Sequence, residues 1–172
     1  MTQDNIQIVE VESFPVVVVR DVVSTMKIGK VMGPAYHAIK AYLNQEGVTP
    51  LDDEYPFCIY RDVTFDHLDA KGFIATLKMM FAEKWNIEMG IPSQKPLSGT
   101  ETLIATNFPA GKYLQTVHMG PYRFLRQTYK RLADYANAEG IPLGTVSVEK
   151  YTNSPGSVPD DALKTIVLVS VS

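Results

Sequence analysis

Along this chain the apolar positions alternate with polar ones in short stretches, then switch to steps of three and four, and switch back. Ile6–Glu12 and Val16–Val23 read as strands, because β-branched residues favour a pleated, half-buried surface. Pro15 cannot donate to a ladder, so Phe14-Pro15 marks a turn or bulge between them. Ile28, Met32, Ala35, Ile39 and Tyr42 recur at helical spacing. Ser24-Thr25 offers N-cap chemistry, with Gly29 and Gly33 against a start that early; Pro34 is tolerated in a first turn, so the firm part of the helix is Pro34–Gln45, with Gly47 as its stop. Pro56–Thr64 is the next strand. A second helix, capped by Asp69, carries Phe73, Leu77, Met80 and Phe81 on one face. Trp85, Ile87, Met89 and Ile91 then alternate with Asn86, Glu88 and Gly90, the pattern of a half-buried strand whose Glu88 faces water.

The Pro-, Ser- and Gly-bearing stretch Pro92–Thr100 reads as a joint, and the plan repeats after it. Glu101–Asn107 is a strand, Phe108–Gly111 a turn and Lys112–His118 a strand. Tyr122, Leu125, Tyr129, Leu132 and Ala136 trace one helical face, and Gly140 ends that helix. Thr145–Tyr151 and Leu163–Val171 are the last strands. Local echoes support a duplication: Met32-Gly33-Pro34 with Met119-Gly120-Pro121, Phe14-Pro15 with Phe108-Pro109, and Asn44-Gln45-Glu46-Gly47 with Asn137-Ala138-Glu139-Gly140. The echoes lie closer together in the first half, so they align only with a gap. The reading is an α+β domain of two pseudo-repeats, about 6–94 and 100–172. Each is a β-α-β-β unit of antiparallel sheet with its helix on one face. The junction between the halves is a natural ligand cleft.

Composition narrows the classes. The 172 residues are 45% apolar and 20% charged, an ordinary globular balance. The net charge of −3 argues against a general nucleic-acid binder, which needs a basic footprint. A single cysteine, Cys58, excludes an internal disulfide framework and a Cys-rich zinc site. It fits a reducing, cytoplasmic setting as a buried, inert thiol. His37, His67 and His118 lack metal-ligand spacing, so no metal or cofactor is expected. No P-loop, GxGxxG, HExxH or GxSxG motif is present. No apolar run is long enough to span a membrane, and the polar start is unlike a signal peptide.

Candidate chemistry centres on Thr145–Tyr151. Alternation sends Ser147, Glu149 and Tyr151 to one face and Val146 and Val148 to the other. A carboxylate in a strand centre either faces water or faces a cavity, where it binds a cation or acts as a base. The aromatics Phe57, Tyr60, Trp85, Tyr113, Tyr122 and Tyr151 lie in or beside strands and are either core or a cage for a lipophilic cation. His118 ends a strand just before Gly120-Pro121. Arg123, Arg126 and Lys130 form a basic stripe opposite the apolar face of the second-half helix, as a solvated surface would. Asp52-Asp53-Glu54 is an acidic loop.

Three ordered motifs, Phe108-Pro109-Ala110-Gly111-Lys112-Tyr113, His118-Met119-Gly120-Pro121-Tyr122 and Glu149-Lys150-Tyr151, together resemble the gyrase-inhibitor-like (GyrI-like) small-molecule-binding family. That family includes the effector-binding domains of multidrug-sensing transcription regulators, and the resemblance spans Ile6 to Val171. It implies a pocket between two halves, with Glu149 meeting cationic ligands among aromatics. Tyr151 matches the E-x-Y tyrosine and Tyr122 the His-x-Gly-Pro-Tyr tyrosine. Tyr60, Trp85 and His118 complete the expected ligand-binding set, Tyr60 and Trp85 from their places in first-half strands. The chain lacks the regulators' DNA-binding segment, so no direct nucleic-acid contact is expected. The helix within His67–Lys84 resembles an insertion that lids or fills the pocket.

The implied function is a stand-alone binder of amphipathic small molecules, cationic ones included. The alternatives are a hydrolase of reactive small molecules that uses the same glutamate, and a gyrase-inhibitor-like interaction protein contacting DNA gyrase through a surface such as the acidic loop. Haem would need an axial histidine near the cleft, and His118 already matches the small-molecule motif.

Overall fold

The computed structural model describes residues 5–52, 54–64 and 84–172. The helix expected from Asp69 lies outside these residues. In chain order the elements are β1 (Gln7–Val11), β2 (Pro15–Ser24), α1 (Thr25–Gln45), β3 (Phe57–Arg61), β4 (Lys84–Pro92), β5 (Ile104–Asn107), β6 (Gly111–Met119), α2 (Leu125–Glu139), β7 (Leu143–Tyr151) and β8 (Lys164–Val171). Short 3-10 turns precede α2 at Tyr122–Phe124 and β8 at Asp160–Ala162.

The strands form one antiparallel sheet of eight, in the order β1-β6-β8-β7-β3-β4-β2-β5. The halves therefore do not keep separate sheets. The β4-β2 and β8-β6 ladders join through β3 and β7, with Phe57 opposite Lys150 and Tyr60 opposite Ser147. The two outermost strands are exchanged. β1 leads into β2 yet pairs with β6, and β5 leads into β6 yet pairs with β2. At the crossing, the Phe14 and Phe108 rings stack with centroids 4.7 Å apart, and Phe108 N–H donates to the Phe14 carbonyl at 2.8 Å. The Phe-Pro echo in the sequence is thus a contact between the halves.

Both helices lie on one face. α1 packs on β2 and β4, burying Ile39 and Leu43 against Val17 and Ile91. α2 packs on β6 and β8, burying Leu132 and Ala136 against Leu114, Val167 and Val169. The other face holds its own core, built on Phe57, Phe108, Val18, Ile59, Val148 and Leu168. β4 is consequently buried on both faces. Glu88 is 6% exposed and ion-paired to Arg61, Nε to Oε1 at 2.6 Å, instead of facing water. Desolvating that carboxylate is offset by the guanidinium partner.

α1 begins at Thr25, with Ser24 at the N-cap position, and carries Pro34 inside it, so the helix extends beyond its firm part Pro34–Gln45 to the earlier of the two starts the sequence offers. Proline removes one helical donor, and on the exposed side of the helix water replaces the lost bond. In the second half the equivalent Gly120-Pro121 stands before the helix. Thr25–Gly33 is therefore a helical extension of the first half alone. Gly47 and Gly140 end the two helices as expected, with φ of 63° and 67°.

Gly90 sits where β4 passes beneath Phe57. A Cβ there would collide with the Phe57 ring, which is fully buried, and would lie 2.9 Å from Val18 Cγ1. Overpacking of this kind costs roughly 1–3 kcal/mol. Gly90→Ala is expected to lower stability by that amount in urea denaturation, while Gly29→Ala, which meets nothing within 4 Å, raises or preserves it.

Candidate functional site

Because each helix covers the outer strands of its own half, β3 and β7 are left as the floor of a cleft between α1 and α2. The cleft has a volume of about 1170 Å³. Alternation decides what the floor presents. Cys58 and Tyr60 from β3, and Ser147, Glu149 and Tyr151 from β7, point toward the helices, while Phe57, Ile59 and Val148 point to the opposite core. The β7 ladder is irregular between Leu143 and Ser147. There Ser170 Oγ accepts the Val146 N–H at 3.1 Å and replaces the missing ladder bond.

Glu149 is the centre of the floor. It is 6% exposed, and its two oxygens accept hydrogen bonds from Tyr151 (2.8 Å), Tyr129 (2.9 Å) and, more weakly, Tyr60 (3.4 Å). Tyr129 also meets Ser147 Oγ at 2.7 Å, and since the phenol donates to Glu149, the serine donates to the phenol. Burial raises the Glu149 carboxyl above its ordinary pKa, and the bonds from Tyr151, Tyr129 and Tyr60 pull it partly back. Burial first, and then the Glu149 charge, push the hydroxyls of Tyr60, Tyr129 and Tyr151 well above their usual value. They remain donors. Burial also raises the Cys58 thiol, with Glu149 as the next cause, which keeps it protonated.

The walls add aromatic surface. Tyr36 and Tyr122 meet Tyr151 edge-on from opposite helices, with centroids 6.4 Å and 5.6 Å away. Trp85 stands edge-on to Tyr60 at 6.1 Å and donates its indole N–H to Thr25 Oγ1 at 2.8 Å. The α1 extension supplies Thr25, Ile28, Gly29 and Met32 to this wall. The cleft surface is thus apolar and aromatic around one carboxyl group.

Of the residues expected from sequence, the structure brings Glu149, Tyr151, Tyr122, Tyr60 and Trp85 together around the cleft. His118 is not brought there. It is buried under α2, with Nδ1 2.8 Å from Thr128 Oγ1 and Nε2 3.2 Å from the Pro121 carbonyl. The carbonyl can only accept, so in the neutral ring Nε2 carries the proton and Nδ1 accepts from Thr128. His118 fixes the entry to α2 and leaves no nitrogen for a ligand. Phe57 and Tyr113 belong to the opposite core. Arg123 and Arg126, read as part of a solvated stripe, line the cleft, while Lys130 pairs with Asp134 at 2.6 Å. Of the acidic loop, Glu54 pairs with Lys150 at 2.6 Å, and Asp53 lies outside the described residues.

Sequence reasoning missed two tyrosines. Tyr129 was placed on the apolar face of its helix, but a phenol has a polar tip that needs a partner when buried. Tyr36 stands one residue further from Gly33-Pro34 than Tyr122 does from Gly120-Pro121, so the echo read in register points to Ala35 and passes over it. Its hydroxyl donates to the Phe57 carbonyl at 2.8 Å. Among the described residues no group of His, Cys, Asp and Glu converges in a way that could hold a metal ion. No described helix is long and apolar enough to cross a membrane.

The fold recurs in solved structures of low sequence identity. EcmrR in its complex with DNA superimposes with a TM-score of 0.77 at 19% identity, covering 100% of this chain and 59% of that one. The chain thus spans well under two thirds of that protein. The EcmrR C-terminal domain alone gives 0.71 at 20% identity and 98% coverage of both chains. A Listeria innocua protein described as a hydrolase gives 0.65 at 15% identity, covering 97% of this chain and 91% of that one. SAV2435, solved with tetraphenylphosphonium bound, gives 0.64 at 10% identity, covering 98% and 94%. No curated protein matches the chain in sequence. The family comparison matches over residues 4–172, the full extent of both halves, and the chain belongs to the GyrI-like small molecule binding domain family.

Proposed function

We propose that this chain binds amphipathic small molecules that carry a positive centre, seating the cation over Glu149. The carrying observation is a carboxyl group buried at the floor of an aromatic cleft, with phenolic hydroxyls as its recorded hydrogen-bond partners. Three phenols orient the carboxylate but bring no formal charge to balance it. A cation supplies that charge, and the surrounding rings add about 0.5–2 kcal/mol per face-on contact. Binding of tetraphenylphosphonium by SAV2435, which shares the fold, supports this reading.

A second reading uses the same carboxyl group as a base. A carboxyl whose pKa is raised by burial is suited to take a proton from water as the water attacks a bound electrophile. The description of the Listeria innocua relative as a hydrolase supports keeping it. The readings separate in one assay, since turnover of an electrophile that vanishes in Glu149→Gln belongs to the second alone.

Glu149→Gln is expected to weaken a lipophilic cation by roughly ten- to a hundredfold and to leave an uncharged isostere within about twofold. Trp85 fluorescence titration measures both, and equal loss for the two ligands would refute the charge role. The sign of the pH effect is fixed by the raised carboxyl. The cation needs the ionised form, so affinity falls as pH drops through the raised value, and binding near that value releases a proton. Calorimetry in buffers of different ionisation enthalpy detects it.

Stability without ligand moves the other way. A carboxyl whose pKa is higher in the fold stabilises the fold while protonated, and that contribution is lost as pH rises through the raised value. Glu149→Gln is therefore expected to gain on wild type as pH rises from the ordinary carboxyl range through the raised value, by about 2–4 °C in Tm for each kcal/mol. A Tm gap constant across that range would show that Glu149 keeps its ordinary pKa.

A further inference from the structure

The charged side chains lining the cleft among the described residues are Lys40, Asp62, Arg123, Arg126 and Glu149, and they are segregated along its length. β3 and β7 are antiparallel, so the residues before β3 and those after β7 share one end of the cleft. The Tyr151 N–H bond to the Pro56 carbonyl at 2.9 Å marks that end. Lys40 belongs to it, because the neighbouring Ile39, Tyr42 and Leu43 pack on Val17 and Ile91, next to the Gly90 that faces Phe57. Arg123 belongs to it as well. β6 ends with Met119 paired to Lys164, one residue from the Thr165 that faces Tyr151, and the adjacent Tyr122 ring touches Tyr151. Arg126 follows one helical turn after Tyr122. Asp62 lies at the opposite end, with Trp85 and Thr25, where its Oδ2 accepts from Asn86 at 3.2 Å.

A ligand lying in this cleft thus meets a negative centre at Glu149 and a positive end beyond Tyr151. Lys40 comes from α1 and Arg123 from the 3-10 turn before α2, and both are exposed, so water screens them but does not remove their field. For a simple monovalent cation that end is unfavourable. We infer that the natural ligand class of this site is zwitterionic: an aromatic molecule whose positive centre sits over Glu149 and whose carboxylate, sulfate or phosphate group reaches Lys40 and Arg123. Tyr151 lies two strand steps beyond Glu149, so the charges of the ligand stand at least roughly 7 Å apart. The inference rests on the proposed role of Glu149 as partner of the cation. It adds an anion-binding end that the cation reading does not require.

The test uses the full chain and a matched pair of dyes. Rhodamine B carries a delocalised cation and a carboxylate, and its ethyl ester carries the cation alone. Wild type is expected to bind the acid about three- to tenfold tighter than the ester, and the preference is expected to shrink between about 0.05 M and about 0.5 M salt. Lys40→Gln combined with Arg123→Gln, two exposed positions, is expected to abolish the preference by weakening the acid and leaving the ester unchanged or tighter. Glu149→Gln is expected to weaken both dyes. If the ester binds wild type as well as the acid or better, and Glu149→Gln still weakens it, the zwitterion inference is overturned while the cation reading stands. If the acid keeps its preference in the double variant, the assigned residues are wrong and the inference fails. Loss of both dyes' dependence on Glu149 overturns the cation reading and this inference together.

Discussion

The β3–β7 pairing is the constraint on which the architecture turns. It fuses two half-sheets into one surface, and neither α1 nor α2, the helices among the described residues, is packed on the seam strands. Each helix is held over the outer strands of its own half by apolar burial. The seam is therefore exposed to whatever enters between them. Had β3 and β7 been edge strands, two ladders of unpaired backbone groups would stand where the cleft floor is. Paired, their backbones are satisfied, and only side chains speak to a ligand. Cys58 and Glu149 face each other across that seam, which places the carboxyl group close to the pseudo-two-fold axis.

That position explains why one acid can be surrounded by so many phenols. Tyr60 comes from the first half, Tyr129 and Tyr151 from the second, and Tyr36 and Tyr122 close in from the two helices. A buried carboxylate is costly unless hydrogen-bonded. Here donors are supplied by groups that keep their protons across the physiological range. On the other face of the same strand, Lys150 is buried beside Phe14 and Phe108, with its Nζ 5.6 Å and 5.1 Å from the ring centroids, and is neutralised by Glu54. Neighbouring residues of β7 thus carry opposite charges toward opposite faces: Lys150 is balanced by Glu54, whereas Glu149 is held by neutral phenol donors.

Much of this was legible in the sequence because it depends on local period. Strict alternation sent Ser147, Glu149 and Tyr151 to one face, and the structure keeps them there. The glycines at 47 and 140 ended the helices because only they accept the left-handed turn at little cost. What was illegible depends on partners far away in the chain. Glu88 looked solvated because alternation cannot reveal a second core on the opposite face. Tyr129 looked apolar because its serine and carboxylate partners lie on another element. His118 looked available because the carbonyl and threonine that occupy it become neighbours only once α2 has turned. Pro34 looked like a helix start because a proline inside a helix is costly, and the extension before it is anchored by Ile28, Val31 and Met32 against a first-half core that local pattern does not show.

The exchange of outer strands has a consequence for biosynthesis. β1 is made before β2, yet its ladder partner among the described residues is β6, where Gln7 meets Gln115 and Val11 meets Gly111. β3 waits in the same way for β7, where Phe57 meets Lys150, and the valine-rich β2 waits for both β4 and β5. Loop-closure entropy sets in before such distant contacts reward it. The nascent first half therefore travels with sticky, unpaired β-forming segments until the second half has been synthesised. A first half without its second thus leaves β1 and one edge of β3 without their ladders, and strand edges of that kind are what molecular chaperones shield.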